Sequence, residues 1–200
     1  MTADLQDFMI SRVRVRIMEL FFSNPSEMYY VREITRKAKE EINAVRRELD
    51  KMLEYGLLKS EERGNRLYYH LNGRYQFYPE LLRMISKTTG LGGRLVKARR
   101  KLGQVDFIMF SGDYVEGKPA RQDHIDLLII GEIVLPELEQ LIKQHQEQNE
   151  REIFYAVFSK EEFDFRKTRR DPFVMDVLYG SKVMVIGSEV EFCERQTPTM

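Results

Sequence analysis

The sequence predicts an α+β protein with two domains, and three observations lead to that prediction. In the first half, apolar residues recur at three- and four-residue spacing, which is typical of amphipathic helices. Two short β-like runs separated by a polar turn follow these helices. The second half alternates strand-like apolar runs with helical segments, which favours a layered α/β domain. A chain of 200 residues can form one large domain or two small ones.

The charge distribution favours two domains with different roles. Residues 1–102 contain 21 lysines and arginines against 13 acids, whereas residues 103–200 contain 11 against 19. A basic half suits a polyanionic partner such as nucleic acid, although a merely solvated basic face has the same composition. No segment approaches the roughly 20 apolar residues that cross a bilayer, so no membrane partner is expected. Residues 1–8 lack a secretory signal pattern, and the lone Cys193 forms no internal disulfide, which predicts a cytoplasmic protein.

Residues 1–88 are predicted to contain helices followed by a β-hairpin. The first helix covers Ser11–Phe22, a short strand covers Tyr29–Val31, and a second helix has Val31, Ile34 and Ala38 on its inner side. A polar turn then separates the second helix from the third. This segment therefore has the spacing of two helices joined by a tight turn.

The third helix is the most informative element. Its inner face is predicted to be apolar: Ile42, Val45, Leu49, Met52 and Leu53. Gly56 is expected to end the helix. Two strands follow at Leu57–Glu61 and Leu67–Leu71, and the turn Arg63-Gly64-Asn65-Arg66 between them places two cations at its tip.

This order of helices, turn and hairpin is that of a winged helix-turn-helix domain. The segment VREITRKAKEEINAVRRELDKMLEYGLLKSEERGNRLYYHLN resembles the ArsR-type winged-helix transcriptional regulators, with a match over about residues 11–75. The resemblance implies a sequence-specific regulator that binds double-stranded DNA. Winged-helix regulators usually bind two-fold sites as dimers, so we expect a homodimer, with the first helix and a Tyr75–Ser86 helix as contacts.

An α-helix fits the major groove, where arginine can bind guanine and asparagine can bind adenine. The predicted DNA-binding residues are Asn43, Arg46 and Arg47 on the third helix for bases; Arg63, Asn65 and Arg66 on the wing for phosphates or the minor groove; and Arg32, Thr35, Arg36 and Lys37 on the second helix for the backbone. Each residue taken alone could instead be an ordinary solvated side chain, and the scaffold can also serve protein contacts.

Residues 89–102 are predicted to form a basic helical connector. Gly90, Gly92 and Gly93 should interrupt the preceding helix, and a short helix is expected at Leu91–Leu102. Its cations either remain in water or add phosphate contacts.

Residues 103–200 are predicted to form a small α/β domain with a mixed sheet. The predicted strands are Val105–Phe110, Ile125–Ile130, Glu152–Phe158 and Lys182–Ile186, and the predicted helices are Leu135–Gln148, Lys160–Thr168 and Pro172–Leu178. The segment FIMFSGDYVEGKPARQDHIDLLIIGE resembles the minimal nucleotidyltransferase domain of the DNA polymerase β superfamily, over roughly residues 103–188. That family's pattern is an apolar strand, a Gly-Ser turn and an Asp-x-Asp pair on the next strand, whose carboxylates hold Mg²⁺.

The chain departs from this pattern at the site itself. The turn reads Ser111-Gly112, and His124 replaces the first acid. The third strand contains no acid over Ile153–Phe158, with Glu152 at its edge as the nearest substitute, so Asp126 is the one weak metal candidate. Imidazole is a poor Mg²⁺ ligand, and the sequence therefore predicts a retained fold without catalysis. The inherited pocket for a nucleotide, another effector or a protein partner would comprise Ser111, Gly112, Asp113, His124 and Asp126. No cofactor is predicted.

Two alternatives stay open at this point. One is an active metal-dependent nucleotidyltransferase that uses Mg²⁺ and a nucleotide and is targeted by its winged helix. The other is an antitoxin-like protein that its C-terminal half holds in a complex.

Overall fold

The computed structural model of the chain describes residues 11–119, 124–149 and 151–194, so the first eight residues, relevant to a secretory signal, lie outside it. The chain divides into two compact units, Met1–Thr89 and Gly90–Met200. Both contain helices and a sheet, which confirms the α+β class. None of the helices in these described ranges has the length and apolar character needed to cross a bilayer.

The first unit contains four described helices and a three-stranded sheet. Its elements are α1 (Arg12–Ser23), β1 (Tyr29–Tyr30), α2 (Val31–Ala38), α3 (Ile42–Glu54), β2 (Leu58–Arg63), β3 (Arg66–Leu71) and α4 (Tyr78–Thr88). The strand order is β1-β3-β2, and both pairings are antiparallel. In the hairpin, Leu58 lies opposite Leu71 and Arg63 opposite Arg66, so the four-residue turn predicted from the sequence closes it.

Local capping explains where α3 begins and ends. The Glu41 carboxylate accepts a hydrogen bond from the Ala44 N–H at 2.9 Å, which satisfies one of the free donors of the first turn. At the other end, Gly56 adopts a φ of +77°, and the N–H of Leu57 donates to the carbonyl of Met52 at 2.9 Å. This left-handed stop needs glycine because a Cβ there would be strained.

The core of the first unit lies between the helices and the sheet. Val45, Leu49 and Met52 of the predicted α3 stripe are buried, whereas Ile42 and Leu53 at its edges are half-buried. They share the core with Phe21 of α1, whose ring packs edge-on against that of Tyr29 at 5.4 Å between centroids. Burial of this apolar side leaves the other side of α3 in solvent.

The second unit has a four-stranded mixed sheet covered by helices, as the sequence predicts. Its elements are α5 (Gly90–Ala98), β4 (Gly103–Ser111), α6 (Gly112–Val115), β5 (Leu127–Ile133), α7 (Leu135–Asn149), β6 (Tyr155–Phe158), α8 (Lys160–Thr168), α9 (Pro172–Tyr179), β7 (Lys182–Ile186) and α10 (Glu189–Cys193). The strand order is β6-β5-β4-β7. β4 is antiparallel to β5 and to β7, while β5 and β6 are parallel.

The core of the second unit forms on both faces of this sheet, since consecutive residues of a strand point to opposite faces. Residues 127–130 of β5 are fully buried, and one buried cluster joins the sheet to α8, α9 and α10 through Phe107, Phe163, Val174 and Phe192. The rings of Phe163 and Phe192 stack at 5.0 Å.

Several boundaries differ from the sequence prediction. Gly92 and Gly93 do not interrupt a helix but lie buried within α5; the preceding helix ends at Thr88, and Thr89 is extended. α5 also ends at Ala98 rather than at residue 102. β5 begins at Leu127 and β6 at Tyr155, each later than predicted, because apolar composition does not reveal where strand pairing starts.

Candidate functional site

The residues predicted to contact bases lie together on α3. Asn43, Arg46 and Arg47 are all exposed, and their three- and four-residue spacing places them on a shared side of the helix. In the described parts of the chain, the side chains of Arg46 and Arg47 make neither a hydrogen bond nor a salt bridge. Neither guanidinium therefore has an acidic partner at salt-bridge distance among the described residues.

The second helix adds three further exposed cations. Arg32, Arg36 and Lys37 are exposed, and the Lys37 ammonium lies 5.4 Å from the centroid of the Tyr29 ring. Thr35 differs from them, because its hydroxyl is buried and has no hydrogen-bond partner among the described residues. The Thr35 hydroxyl thus does not belong to the exposed cationic surface on which the sequence placed it.

The tip of the hairpin contributes one cation without an acidic partner among the described residues. Arg63, Asn65 and Arg66 are exposed at its tip, as predicted. The Arg63 Nε atom, however, donates to Glu61 at 3.0 Å, and the Arg63 guanidinium lowers the pKa of that exposed carboxyl. The Arg66 guanidinium lies instead over the Tyr30 ring at 4.6 Å. Arg63 is thus partly neutralised, whereas Arg66 is not.

The three arginines of α1, in contrast, all form salt bridges with acids of the first unit. Arg12 and Arg16 both contact Glu40, at 3.1 Å and 2.8 Å, and Arg14 contacts Glu48 at 2.9 Å. These acids and bases are far apart in sequence, so the sequence analysis did not find the pairs. Six cations of α2, α3 and β3 have no salt-bridge partner in the described ranges, and we call them the α2–α3–β3 cations: Arg32, Arg36, Lys37, Arg46, Arg47 and Arg66.

An acid marks the amino end of α3. Hydrogen bonds from the backbone N–H groups of Asn43 and Ala44 lower the pKa of the Glu41 carboxyl, and Arg47 and Arg46 add a smaller electrostatic effect. The carboxylate thereby occupies the N–H groups that an unblocked helix end could offer to a phosphate. An anion bound at α3 would therefore be held by the arginine side chains rather than by the N–H groups of the helix end.

In the second unit, the turn after β4 is shaped by packing. The Ser111 side chain is buried and accepts a hydrogen bond from the Tyr114 N–H at 3.2 Å, which caps α6. The Gly112 N–H donates to the Ser181 carbonyl at 2.7 Å. A Cβ on Gly112 would lie 2.5 Å from the Ser181 hydroxyl oxygen, so Ser181, the residue before β7, excludes any side chain there.

Four of the five predicted pocket residues line one cavity, whereas the fifth, Asp126, is joined to Ser111 only through its backbone carbonyl, which accepts a hydrogen bond from the Ser111 N–H at 2.9 Å. Ser111, Gly112, Asp113 and His124 line a cavity of about 130 Å³. Asp126 is not among its lining residues. It is 4% exposed, accepts a hydrogen bond from the Phe154 N–H at 3.0 Å, and lies 3.5 Å from the Arg151 guanidinium.

These residues do not fit a divalent metal ion. Within the described ranges, no three histidine, cysteine, aspartate or glutamate side chains come close enough to hold one. Mg²⁺ prefers several oxygen ligands, whereas the Asp126 carboxylate already faces a cation and a backbone donor. No chemical step through a metal follows from this arrangement.

A buried polar network connected to Asp126 was missed by the sequence analysis. The Tyr114 hydroxyl lies 3.2 Å from His145 Nε2, and Arg151 stacks on the Tyr114 ring at 4.5 Å while donating to the Tyr114 carbonyl. Burial raises the pKa of Tyr114 to about 12 and lowers the pKa of His145 to about 4. Tyr114 lies more than thirty positions before either partner, so no local pattern predicts this network.

Comparisons with known proteins do not assign the chain to a family. No protein-family model matches it, and no curated protein matches it. Among solved structures, human N-acetylserotonin methyltransferase in complex with SAM aligns with a TM-score of 0.30 and 17% identity, over 86% of this chain and 44% of that chain. The chain thus spans less than half of that protein. A TM-score of 0.30 is too low to support a conclusion about fold or function.

Proposed function

We propose that this protein is a sequence-specific transcriptional regulator that binds double-stranded DNA through a winged helix formed by its first unit. The observation that carries the proposal is the contrast between two sets of cations. All three arginines of α1 are paired with acids of the same unit, while the α2–α3–β3 cations are not. Exposed cations without acidic partners can bind phosphates with release of the condensed counterions.

The order of elements supports a groove assignment for α3. α2 and α3 are joined by a tight turn, and the hairpin β2–β3 follows, as in a helix-turn-helix with a wing. α3 is buried on one side and presents Asn43, Arg46 and Arg47 on the other, the side-chain types that bind adenine and guanine. In this proposal, Arg32, Arg36, Lys37 and Arg66 hold the DNA backbone.

The second unit is proposed to be a nucleotidyltransferase-like domain that serves effector binding or assembly rather than catalysis. Two sets of contacts support a non-catalytic role for this unit. The Ser111-Gly112 turn is used for capping and for close packing against Ser181, and the Asp126 carboxylate is paired with Arg151. We also propose that the protein acts as a homodimer, since winged-helix regulators usually bind two-fold sites.

The test begins with selection of binding sites. The full-length protein is incubated with a pool of random-sequence duplexes, bound DNA is sequenced, and the enriched duplex is titrated by fluorescence anisotropy at several salt concentrations. We expect one enriched motif and an affinity that falls steeply with salt. A pool without enrichment would contradict the proposal.

Matched variants connect the result to the proposed surface. The double variant Arg46→Ala/Arg47→Ala removes two of the α2–α3–β3 cations, and Lys87→Ala/Lys143→Ala removes two exposed cations elsewhere. The first should abolish selective binding of the enriched duplex, and the second should retain it. Equal losses in both variants would show that net charge, rather than α3, binds the DNA.

A further inference from the structure

A second cavity of the second unit lies away from the predicted pocket. It has a volume of about 300 Å³ and is lined by residues of α8, α9 and the end of α10. This size is at the lower end of the range for small-molecule sites. Met175, Leu178 and Tyr179 supply an apolar and aromatic wall.

One cation that lines this cavity is buried. Lys167 is 8% exposed, and its Nζ atom donates to the carbonyl of Phe192 at 2.8 Å. An ammonium group has three donors, and no second acceptor contacts this one among the described residues. Desolvation lowers the pKa of Lys167. A buried cation with unused donors is stabilised by an anion.

The acid in the cavity wall offsets the burial of Lys167 only in part, because Asp164 raises the pKa of Lys167 less than desolvation lowers it. Asp164 lines the same cavity, but its carboxylate is hydrogen-bonded to Lys160 at 3.1 Å. Lys167 makes no salt bridge with any residue in the described ranges. The cavity therefore carries a net positive charge.

The second cation of the cavity lies in an unfavourable backbone conformation. Arg170 lies two residues after Thr168, the last residue of α8, with a φ of +54°, in the left-handed region that glycine adopts more easily. Its side chain lines the cavity and makes no hydrogen bond or salt bridge with a described residue. The backbone alone would favour glycine at this position, and the guanidinium carried there is exposed at the cavity wall.

We infer that this cavity binds a small organic anion, whose apolar or aromatic body packs against Met175, Leu178 and Tyr179 while its carboxylate or phosphate contacts Lys167 and Arg170. The site differs in position and in chemistry from the Ser111–His124 pocket, and it requires no DNA binding. Its two cations would give charge-assisted hydrogen bonds, which are stronger than neutral ones.

The first measurement compares anions with neutral molecules of the same shape. The full-length protein is titrated by isothermal calorimetry with 2-naphthoate, octanoate and hexyl phosphate, and with 2-naphthamide, octanamide and hexanol. At least one anion should bind about tenfold more tightly than its neutral counterpart, the effect expected for one hydrogen bond to a charged group. Equal affinities within all three pairs, or no binding at all, would overturn the inference.

The second measurement uses a pair of variants that separates strain from binding. Arg170→Gly relieves the left-handed strain and removes the cavity guanidinium, so the thermal midpoint should hold or rise while the affinity for the best anion falls about tenfold. The control is Lys39→Gly, which relieves the same strain at φ +53° in the first unit and should leave the anion affinity unchanged. Lys167→Met should weaken binding as Arg170→Gly does. Anion affinity that is unchanged in both cavity variants, or lowered equally by Lys39→Gly, would refute the site.

Discussion

Arg14 and Glu48 connect the first and third helices of the amino-terminal unit through a charge-assisted hydrogen bond of 2.9 Å between Nε and Oε2. The Ser11 hydroxyl donates to the other carboxylate oxygen at 3.0 Å. Glu48 is buried beside Val45 and Leu49, so this polar contact between α1 and α3 lies on the same buried side of α3 as the apolar stripe.

Removal of the Glu48 carboxylate should destabilise the first unit. Glu48→Ala leaves the Arg14 guanidinium and the Ser11 hydroxyl without their acceptor and should lower the free energy of unfolding by about 1–3 kcal/mol. Urea unfolding followed by circular dichroism measures this change. Asp50→Ala, which removes an exposed acid of the same helix, should have little effect. Equal effects of the two substitutions would contradict the role of Glu48.

Arg47 is predicted to contribute to sequence selectivity. Arg47→Ala should weaken binding to the selected duplex by about 1–3 kcal/mol if the side chain pairs with a guanine, and should change binding to random duplex far less. Anisotropy titrations with both duplexes measure the difference, with Lys87→Ala as the control for loss of one charge. A uniform loss on both duplexes would place Arg47 on a phosphate instead of a base.

Arg66 is predicted to contribute to affinity on every sequence. Arg66→Ala should weaken binding uniformly and reduce the slope of log affinity against log salt by about one. Arg63→Ala should have a smaller effect, because Arg63 is already paired with Glu61. The slopes come from titrations at four or more salt concentrations. A larger effect of Arg63→Ala than of Arg66→Ala would mean that the Glu61 pair opens when DNA binds.

Gly112 should be intolerant of a side chain for a steric reason. In Gly112→Ala, the new Cβ would lie within 2.7 Å of both the hydroxyl oxygen and the Cβ of Ser181. Such overpacking should destabilise the second unit by about 1–3 kcal/mol. Combination with Ser181→Gly removes both clashing atoms and should recover part of the loss in thermal unfolding. A double variant no more stable than Gly112→Ala would assign the glycine requirement to something other than Ser181.

His145 should make stability depend on pH in a defined window. Burial, with smaller effects of Arg94 and Arg151, lowers its pKa from 6.5 to about 4. Between these values the unfolded chain binds a proton that the folded chain does not, so the free energy of unfolding should decrease as the pH falls through this window.

Urea titrations between pH 7 and pH 4 measure this dependence. His145→Gln should flatten it while lowering stability at neutral pH, because the contact with Tyr114 is altered. An unchanged pH slope in His145→Gln would assign the dependence to other groups.

Much of the fold could be predicted because helices and strands leave local patterns in the sequence. α8 and β7 have the predicted bounds, and α3 buries Val45, Leu49 and Met52 of its predicted stripe and ends before Gly56. The exposure of Asn43, Arg46 and Arg47 follows from the same periodicity, since burial of one side of a helix leaves the other in solvent.

Local patterns do not reveal which residues meet across the fold. No pattern in the sequence indicates that Arg14 pairs with Glu48 or Asp126 with Arg151. The composition of α1 alone indicates only a basic helix. A salt bridge requires contact within a few ångströms, and packing of distant segments sets that distance.

The sequence by itself therefore determined where the secondary structure lies and which cations of α3 face solvent. The tertiary structure decided which charges of the first unit are neutralised, that Asp126 is engaged by Arg151, and that two cations with apolar neighbours line the second cavity. The physical reason is that periodicity is a property of neighbouring residues, whereas charge compensation and cavities depend on how the elements pack together.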